Sequence, residues 1–239
     1  MVNTDPASLI ILLGLPGMYL VFFGYGFQSL EGGGGGNYLA FLAPGILAFQ
    51  AVMAGTVAGS ILWADRRFGM LAQLLVGPFT RFEYLFGIIV TSLMFGLGGA
   101  LVMLAVAVAL LGVTTLGLVG LGIMLATVAL GSVLFGALML LLAALVKSNN
   151  AYNSIQILLI FFVNFASTVF YPLSSALPLA LRTLFLINPL TYIADAVRHG
   201  YAGSFGAISA PEVVALIGET TVLLVLATRA YLRSDVSLE

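Results

Sequence analysis

Between Glu83 and Lys147 the chain carries no charged side chain. A bilayer core about 30 Å thick takes roughly 20 apolar residues per helix. By that measure the run holds two spans, Tyr84–Leu111 and Leu116–Leu145, parted by a tight hairpin at Gly112–Thr115. The same criterion elsewhere yields Leu9–Phe27, Tyr38–Trp63, Ala151–Val169 and Val213–Tyr231. The expected fold class is an all-α integral membrane protein with six transmembrane helices, forming a single domain over residues 1–239.

Composition supports lipid as the solvent. Hydrophobic residues make up 62% and charged residues 7%, against roughly 25% charged in soluble domains. A net charge of −1 argues against nucleic acid, which needs clustered Lys and Arg. Cysteine is absent, which excludes disulfides, thiol nucleophiles and cysteine metal sites. His199 is the single histidine, so no site built from several histidines is expected, and it reads as an interfacial residue. The start, Met-Val-Asn-Thr-Asp-Pro, lacks a basic n-region and a small-residue cleavage site follows nowhere near, so no removed signal peptide is expected.

Orientation follows from the basic residues. Arg66, Arg67 and Arg81 share one loop, Lys147 lies in the next loop on that side, and Arg229 and Arg233 lie at the C-terminus. Arg182 and Arg198 fall on the other side. The positive-inside rule makes the first side cytoplasmic, with both termini inside. Trp63 then ends the second span as an interfacial anchor.

The polar break from Ala64 to Glu83 has an unusual pattern for a loop. Leu71, Leu74 and Leu75 fall on one helical face, and Pro78 stops the pattern. An amphipathic helix over Gly69–Val76, flanked by Arg66 and Arg67, is suited to docking on a cytoplasmic partner. Ala51, Gly55 and Gly59 recur every four residues in the second span. Such a stripe lets helices approach closely, either inside the subunit or between subunits. Gly32–Gly36, within Glu31–Asn37, has neither the Lys-Ser/Thr ending nor the preceding strand of a phosphate loop, and reads as a flexible linker.

The segment from Phe170 to Gly206 is too polar to span, and Pro172, Pro178 and Pro189 divide it. Non-helical backbone at membrane depth requires cover from protein or a water cavity, so re-entrant outer half-helices between the fifth and sixth spans are expected. Asn188 and Thr191 bracket Pro189 as helix caps. Asp195 and Arg198, three residues apart, can pair on one face, or contact a substrate directly. Glu219 is the one acid inside a span, roughly 9 Å into the sixth. It marks a pathway by default, or it snorkels or bonds to Thr220 and Thr221.

At Asp65–Pro78 the chain resembles the permease subunit of type-2 ABC exporters. The matching positions are Asp65, Arg66, Gly69, Leu71, Gln73, Leu74, Leu75, Gly77 and Pro78, with Met70 where threonine is usual and Gly77 where serine or threonine is usual. Asn188-Pro189-Leu190-Thr191-Tyr192, followed by Asp195 and Val197-Arg198, is similar to a second motif of that family. Phe170-Tyr171-Pro172 with Leu177-Pro178 resembles its aromatic-Pro break. The family usually carries an amphipathic helix before the first span; here only the residues up to Ser8 precede it, and Asp5-Pro6 looks like the end of such a segment.

The resemblance implies a pathway subunit in the plasma (inner) membrane that exports a hydrophobic or amphipathic cargo: a drug, a lipid or a glycan carrier. The chain lacks a Gly-x-x-x-x-Gly-Lys-Ser/Thr site. ATP and Mg would therefore be held by a separate ABC ATPase, in two copies, acting on two permease copies through Gly69–Val76. Asp65, Arg66, Arg67, Gly69, Leu71, Gln73, Leu74, Leu75 and Pro78 are the candidate coupling residues. Tyr171, Pro172, Asn188, Pro189, Tyr192, Asp195 and Arg198 are those of the outer segment, and Glu219 is the candidate pathway residue. No cofactor or metal is expected on this chain. The rival reading is an ion-gradient-driven secondary transporter or channel, which calls for paired intramembrane acids or a repeated half with broken helices. An intramembrane enzyme would want a His/Asp or Ser/Lys constellation within the spans, which is missing.

Overall fold

A computed structural model describes residues 14, 17–22, 26, 38–111, 117–174 and 177–234. The predicted hairpin Gly112–Thr115, the linker Glu31–Asn37, Asp5-Pro6 and most of the first span Leu9–Phe27 lie outside the described residues. Every described element is helical. In chain order they are α1 (Tyr38–Arg67), α2 (Met70–Val76), α3 (Arg81–Leu111), α4 (Leu118–Leu145), α5 (Asn149–Phe165), α6 (Leu179–Ile187), α7 (Pro189–Ala202) and α8 (Ala210–Arg233), with a 3₁₀ turn at Phe205–Ala207.

Four of the described helices are long and apolar enough to cross a membrane: Tyr38–Arg67, Arg81–Ala109, Leu118–Leu145 and Ala210–Arg233. The predicted fifth span, Ala151–Val169, corresponds to the 17-residue α5, roughly 26 Å of helix at 1.5 Å per residue. It ends at Phe165 rather than Val169 because Asn188 Nδ2 donates to the carbonyls of Val163 (2.6 Å) and Ala166 (2.8 Å). The chain then turns with Ser167 Oγ on the Asn164 carbonyl.

α1 and α4 form the centre of the bundle. The small-residue stripe explains their closeness. A Cβ on Gly55 would lie 2.6 Å from the backbone of Phe135, and one on Gly59 would lie 2.8 Å from Met139. Ala51 Cβ stands 2.9 Å from where a Cβ on Gly131 would sit. The stripe is therefore an internal α1–α4 contact, settling the choice left open by the sequence. Where backbones approach this closely, dispersion contacts and Cα–H···O contacts replace the hydrophobic driving force that lipid does not supply. α3, α7 and α8 pack around this pair, and α8 leans mainly on α4.

Two apolar clusters result. One, around Phe49, Val52, Phe135, Ile193 and Leu216, joins α1, α4, α7 and α8, and includes Leu20 of the short described part of the first span. The other, around Leu62, Leu71, Leu85, Leu140 and Tyr231, lies toward the basic end. Trp63 belongs to it: the indole is 6% exposed and stacks on Tyr152 at 5.4 Å. The expected interfacial anchor is thus a core residue, because α1 continues a full turn past it to Arg67.

Candidate functional site

The polar break becomes a sharply folded junction. α1 ends with Phe68 N–H on the Ala64 carbonyl at 2.9 Å. Gly69 then takes φ 71, ψ 7, a left-handed conformation that costs a non-glycine residue. That turn directs α2 across the bundle end. Gly77 and Pro78 close α2, with Gly77 N–H on the Leu74 carbonyl. α3 starts three residues later through a reciprocal cap. Thr80 N–H and hydroxyl both donate to Glu83 Oε2 at 2.8 Å, and Glu83 N–H donates to Thr80 Oγ1 at 3.2 Å. This capping box begins α3 at Arg81, earlier than the predicted Tyr84. Its signature, Thr-x-x-Glu before an apolar run, stands in the sequence at Thr80–Glu83.

The charged residues of the junction divide into different tasks. Asp65 accepts a 2.6 Å hydrogen bond from Tyr84 Oη, tying α1 to α3. Arg66 is 1% exposed and donates to the carbonyls of Ala143 and Ala144, the latter at 3.2 Å. It satisfies orphan acceptors at the C-terminus of α4 and meets the negative end of that helix dipole. Arg67 is exposed, its guanidinium 5.3 Å from the Trp63 ring and 5.7 Å from the Phe68 ring. Arg81 Nη1 donates to the carbonyls of Leu232 (3.1 Å), Ser234 (3.3 Å) and Tyr231 (3.4 Å), closing the end of α8. Two arginines of one loop thus fasten two other helices at their C-termini.

α2 itself is turned differently from the sequence expectation. Leu71 is 1% exposed and Leu75 packs beside it, both against the chain's own core. Leu74 is half-buried over a groove shared with Phe79, Tyr84 and Ile88. The outward residues are Phe68, Met70, Gln73, Val76 and Phe79, with Val76 90% exposed. The expectation that Leu71 anchors a partner is therefore corrected: Leu71, with Leu75 beside it, binds α2 to the bundle, and Arg66 is likewise committed inward. The periodic apolar face was legible, but periodicity names a buried face without saying what buries it.

The outer segment forms two short helices, α6 and α7. Asn188 caps α7, its side-chain oxygen accepting from Leu190 N–H at 3.0 Å, with Pro189 at the first helical position. Thr191 does not share that role; its hydroxyl is buried without a hydrogen-bond partner among the described residues. Arg198 pairs with Asp195 at 2.7 Å. It also donates to Thr168 Oγ1 (3.2 Å) and to the carbonyls of Thr168, Val169 (3.2 Å) and Phe41 (3.3 Å). Its guanidinium lies 3.9 Å from the Phe41 ring centroid. Burial lowers the Arg198 pKa from its ordinary value and Asp195 opposes that shift. The five donors of one guanidinium thus join α7, the α5–α6 connection and the start of α1. Tyr192 Oη donates to the Leu186 carbonyl, holding α6 to α7. Tyr171 and Pro172 are exposed, away from this network.

Glu219 is half-buried on α8, with Oε2 buried and unpartnered among the described residues. Thr220 and Thr221 do not serve it: their hydroxyls donate to the carbonyls of Leu216 (2.7 Å) and Ile217 (2.8 Å). His199 Nδ1 lies 3.0 Å from Ser204 Oγ, beside an apolar cavity of about 300 Å³ between α4, α7 and α8. Among the described residues no group of three His, Asp or Glu could hold a metal ion.

The pattern of the ABC-2 type transporter family matches residues 3–201, ending in the last turn of α7. A protein of Cyanophora paradoxa named "Putative transport permease ycf38" is 31% identical over 210 residues, covering 83% of this chain and 69% of that protein. The match runs through the junction, both central helices and the outer pair α6–α7, and the chain belongs to the ABC-2 type transporter family as a multi-pass membrane permease.

Proposed function

We propose that the chain is the pathway subunit of an exporter in the plasma membrane, driven by a separate ABC ATPase. Permeases of this family work with an ATPase. The observation that carries the reading is the orientation of α2. A seven-residue helix is held to the bundle by Leu71 while Phe68 and Met70 at one end, and Val76 and Phe79 at the other, stand exposed. A rigid base and an exposed apolar tip suit a helix-in-groove contact that transmits force. In this reading six spans place both termini and α2 in the cytoplasm, two permease copies meet two ATPases, and ATP and Mg stay on the ATPases. Arg67 supplies the outward charge. The charge-poor spans favour a hydrophobic or amphipathic cargo, such as a drug, a lipid or a glycan carrier. α6 and α7 act as re-entrant half-helices over the outer exit.

Co-purification with the ATPase tests this. Val76→Asp combined with Phe68→Asp leaves the permease inserted and monodisperse, but ATPase recovery and export both fall. Survival of recovery and export in that variant removes α2 from coupling.

Ion-gradient-driven transport has one observation in its favour, the unpartnered Glu219 carboxylate. If Glu219→Gln exports as the parent does, with the same pH dependence, that reading is withdrawn.

A further inference from the structure

The cavity of about 300 Å³ between α4, α7 and α8 carries charge of one sign. Ile123, Leu130 and Leu216 give it apolar walls, and Tyr192, His199 and Glu212 line it as well. Glu212, Leu216 and Glu219 follow one another at four and three residues, so they share one face of α8. Burial first, and then the fields of Glu219, Glu212 and Asp195, raise the Tyr192 phenol above its ordinary pKa. The Glu219 carboxylate thus lies within electrostatic reach of the cavity wall.

All eight Lys and Arg of the chain are among the described residues. The ion pair on this side joins Arg198 to Asp195, and Arg198 spends its other donors on Thr168, Val169 and Phe41. Glu212 stands in the first turn of α8, where the helix dipole favours an acid. Glu219, two turns further on, has no such reason for its place. Its Oε2 is buried without a partner among the described residues, and the neighbouring Thr220 and Thr221 hydroxyls are engaged with carbonyls. A buried carboxylate oxygen is costly unless a donor or a cation meets it.

We infer that this cavity binds an amphipathic organic cation, with its apolar body between α4 and α8 and its charge toward Glu219 and Glu212. Apolar walls with a few placed polar groups suit a small organic molecule, and the volume is at the low end of the range for such sites. A zwitterionic lipid fits less well, because its phosphate would face two acids with no free Lys or Arg to answer it. The cation class narrows the cargo of the proposed exporter and rests on that reading for transport, though not for binding.

The test is equilibrium dialysis of the purified full chain, in a neutral detergent, against radiolabelled tetraphenylphosphonium. The cation is bound, and tetraphenylborate, an anion of the same shape, is not. Glu219→Gln weakens binding by about tenfold, as loss of a charge-assisted contact does. Glu212→Gln, an exposed group, weakens it by roughly threefold. Ala126→Phe, which fills the cavity from α4, lowers it by about tenfold or more. Glu83→Gln, which alters an acid of the junction and keeps the capping box, binds as the parent does. Gel filtration confirms that each variant is monodisperse; if Glu219→Gln is not, Glu212→Gln and Ala126→Phe decide. Equal binding of the two probes, or unchanged binding in these cavity variants, overturns the inference. Displacement of the probe by excess dihexanoyl phosphatidylethanolamine makes this a lipid headgroup site and also overturns it. Binding is read without the ATPase, so its failure leaves the exporter reading standing, and failed ATPase recovery leaves the binding result standing.

Discussion

Arg66 reaches the carbonyl of Ala144 at 3.2 Å from the last turn of α1, although the two residues are 78 positions apart. The contact makes α1 and α4 share one helix terminus. It also places a cation where the sequence suggested a solvent-facing one. α1 has to be a turn longer than its apolar composition implies for the guanidinium to arrive there.

Removing that guanidinium leaves two buried acceptors at the end of α4 without a donor. Arg66→Ala is expected to destabilise the permease by about 2 kcal/mol, the range for a hydrogen bond to a charged group. Arg67→Ala, one position on and exposed, changes stability by less than about 0.5 kcal/mol. Thermal unfolding of both variants in detergent checks the difference; equal effects would contradict the buried assignment.

Under the proposed function, the two faces of α2 separate folding from contact with the ATPase. Leu71→Ala empties a fully buried site and is expected to cost about 2–5 kcal/mol. Val76→Ala touches little and leaves stability within about 0.5 kcal/mol. Unfolding midpoints paired with ATPase recovery distinguish them: Leu71 affects stability first, Val76 affects recovery alone.

Close packing of α1 on α4 leaves no room at Gly55. Gly55→Ala drives a Cβ into the Phe135 backbone and is expected to destabilise by about 1–3 kcal/mol. Gly98→Ala on α3 meets open space and is neutral or stabilising by up to about 1 kcal/mol. The pair of unfolding curves should move in opposite directions or differ by at least the overpacking term.

At the outer network, Arg198→Lys keeps the charge but loses the planar fork that serves Asp195, Thr168, Val169 and Phe41 together. A loss of about 1–3 kcal/mol is expected. Export should decline in step with folded protein. Full stability with abolished export would instead point to direct contact between Arg198 and cargo.

Much was already determined by the order of residues. The charge-free runs demand helices in lipid, since no other segment hides its backbone polar groups there. Asn188-Pro189 sets a helix start, Asp195 and Arg198 have the spacing to pair, and the junction motif marks the family. These are local relations, carried by propensity, capping and residues three or four apart. Tertiary structure decided which face of each helix is inside. Leu71 and Leu75 of α2 turned inward because Leu85 of α3 and Leu140 of α4 form one apolar cluster with them. The glycine stripe of α1 served α4 because Phe135 and Met139 lie opposite. Arg66, Arg81 and Arg198 found carbonyls 77, 150 and 157 positions away. A chain pattern specifies that a side chain needs burial or a partner; only the packing of distant helices supplies the identity of that partner.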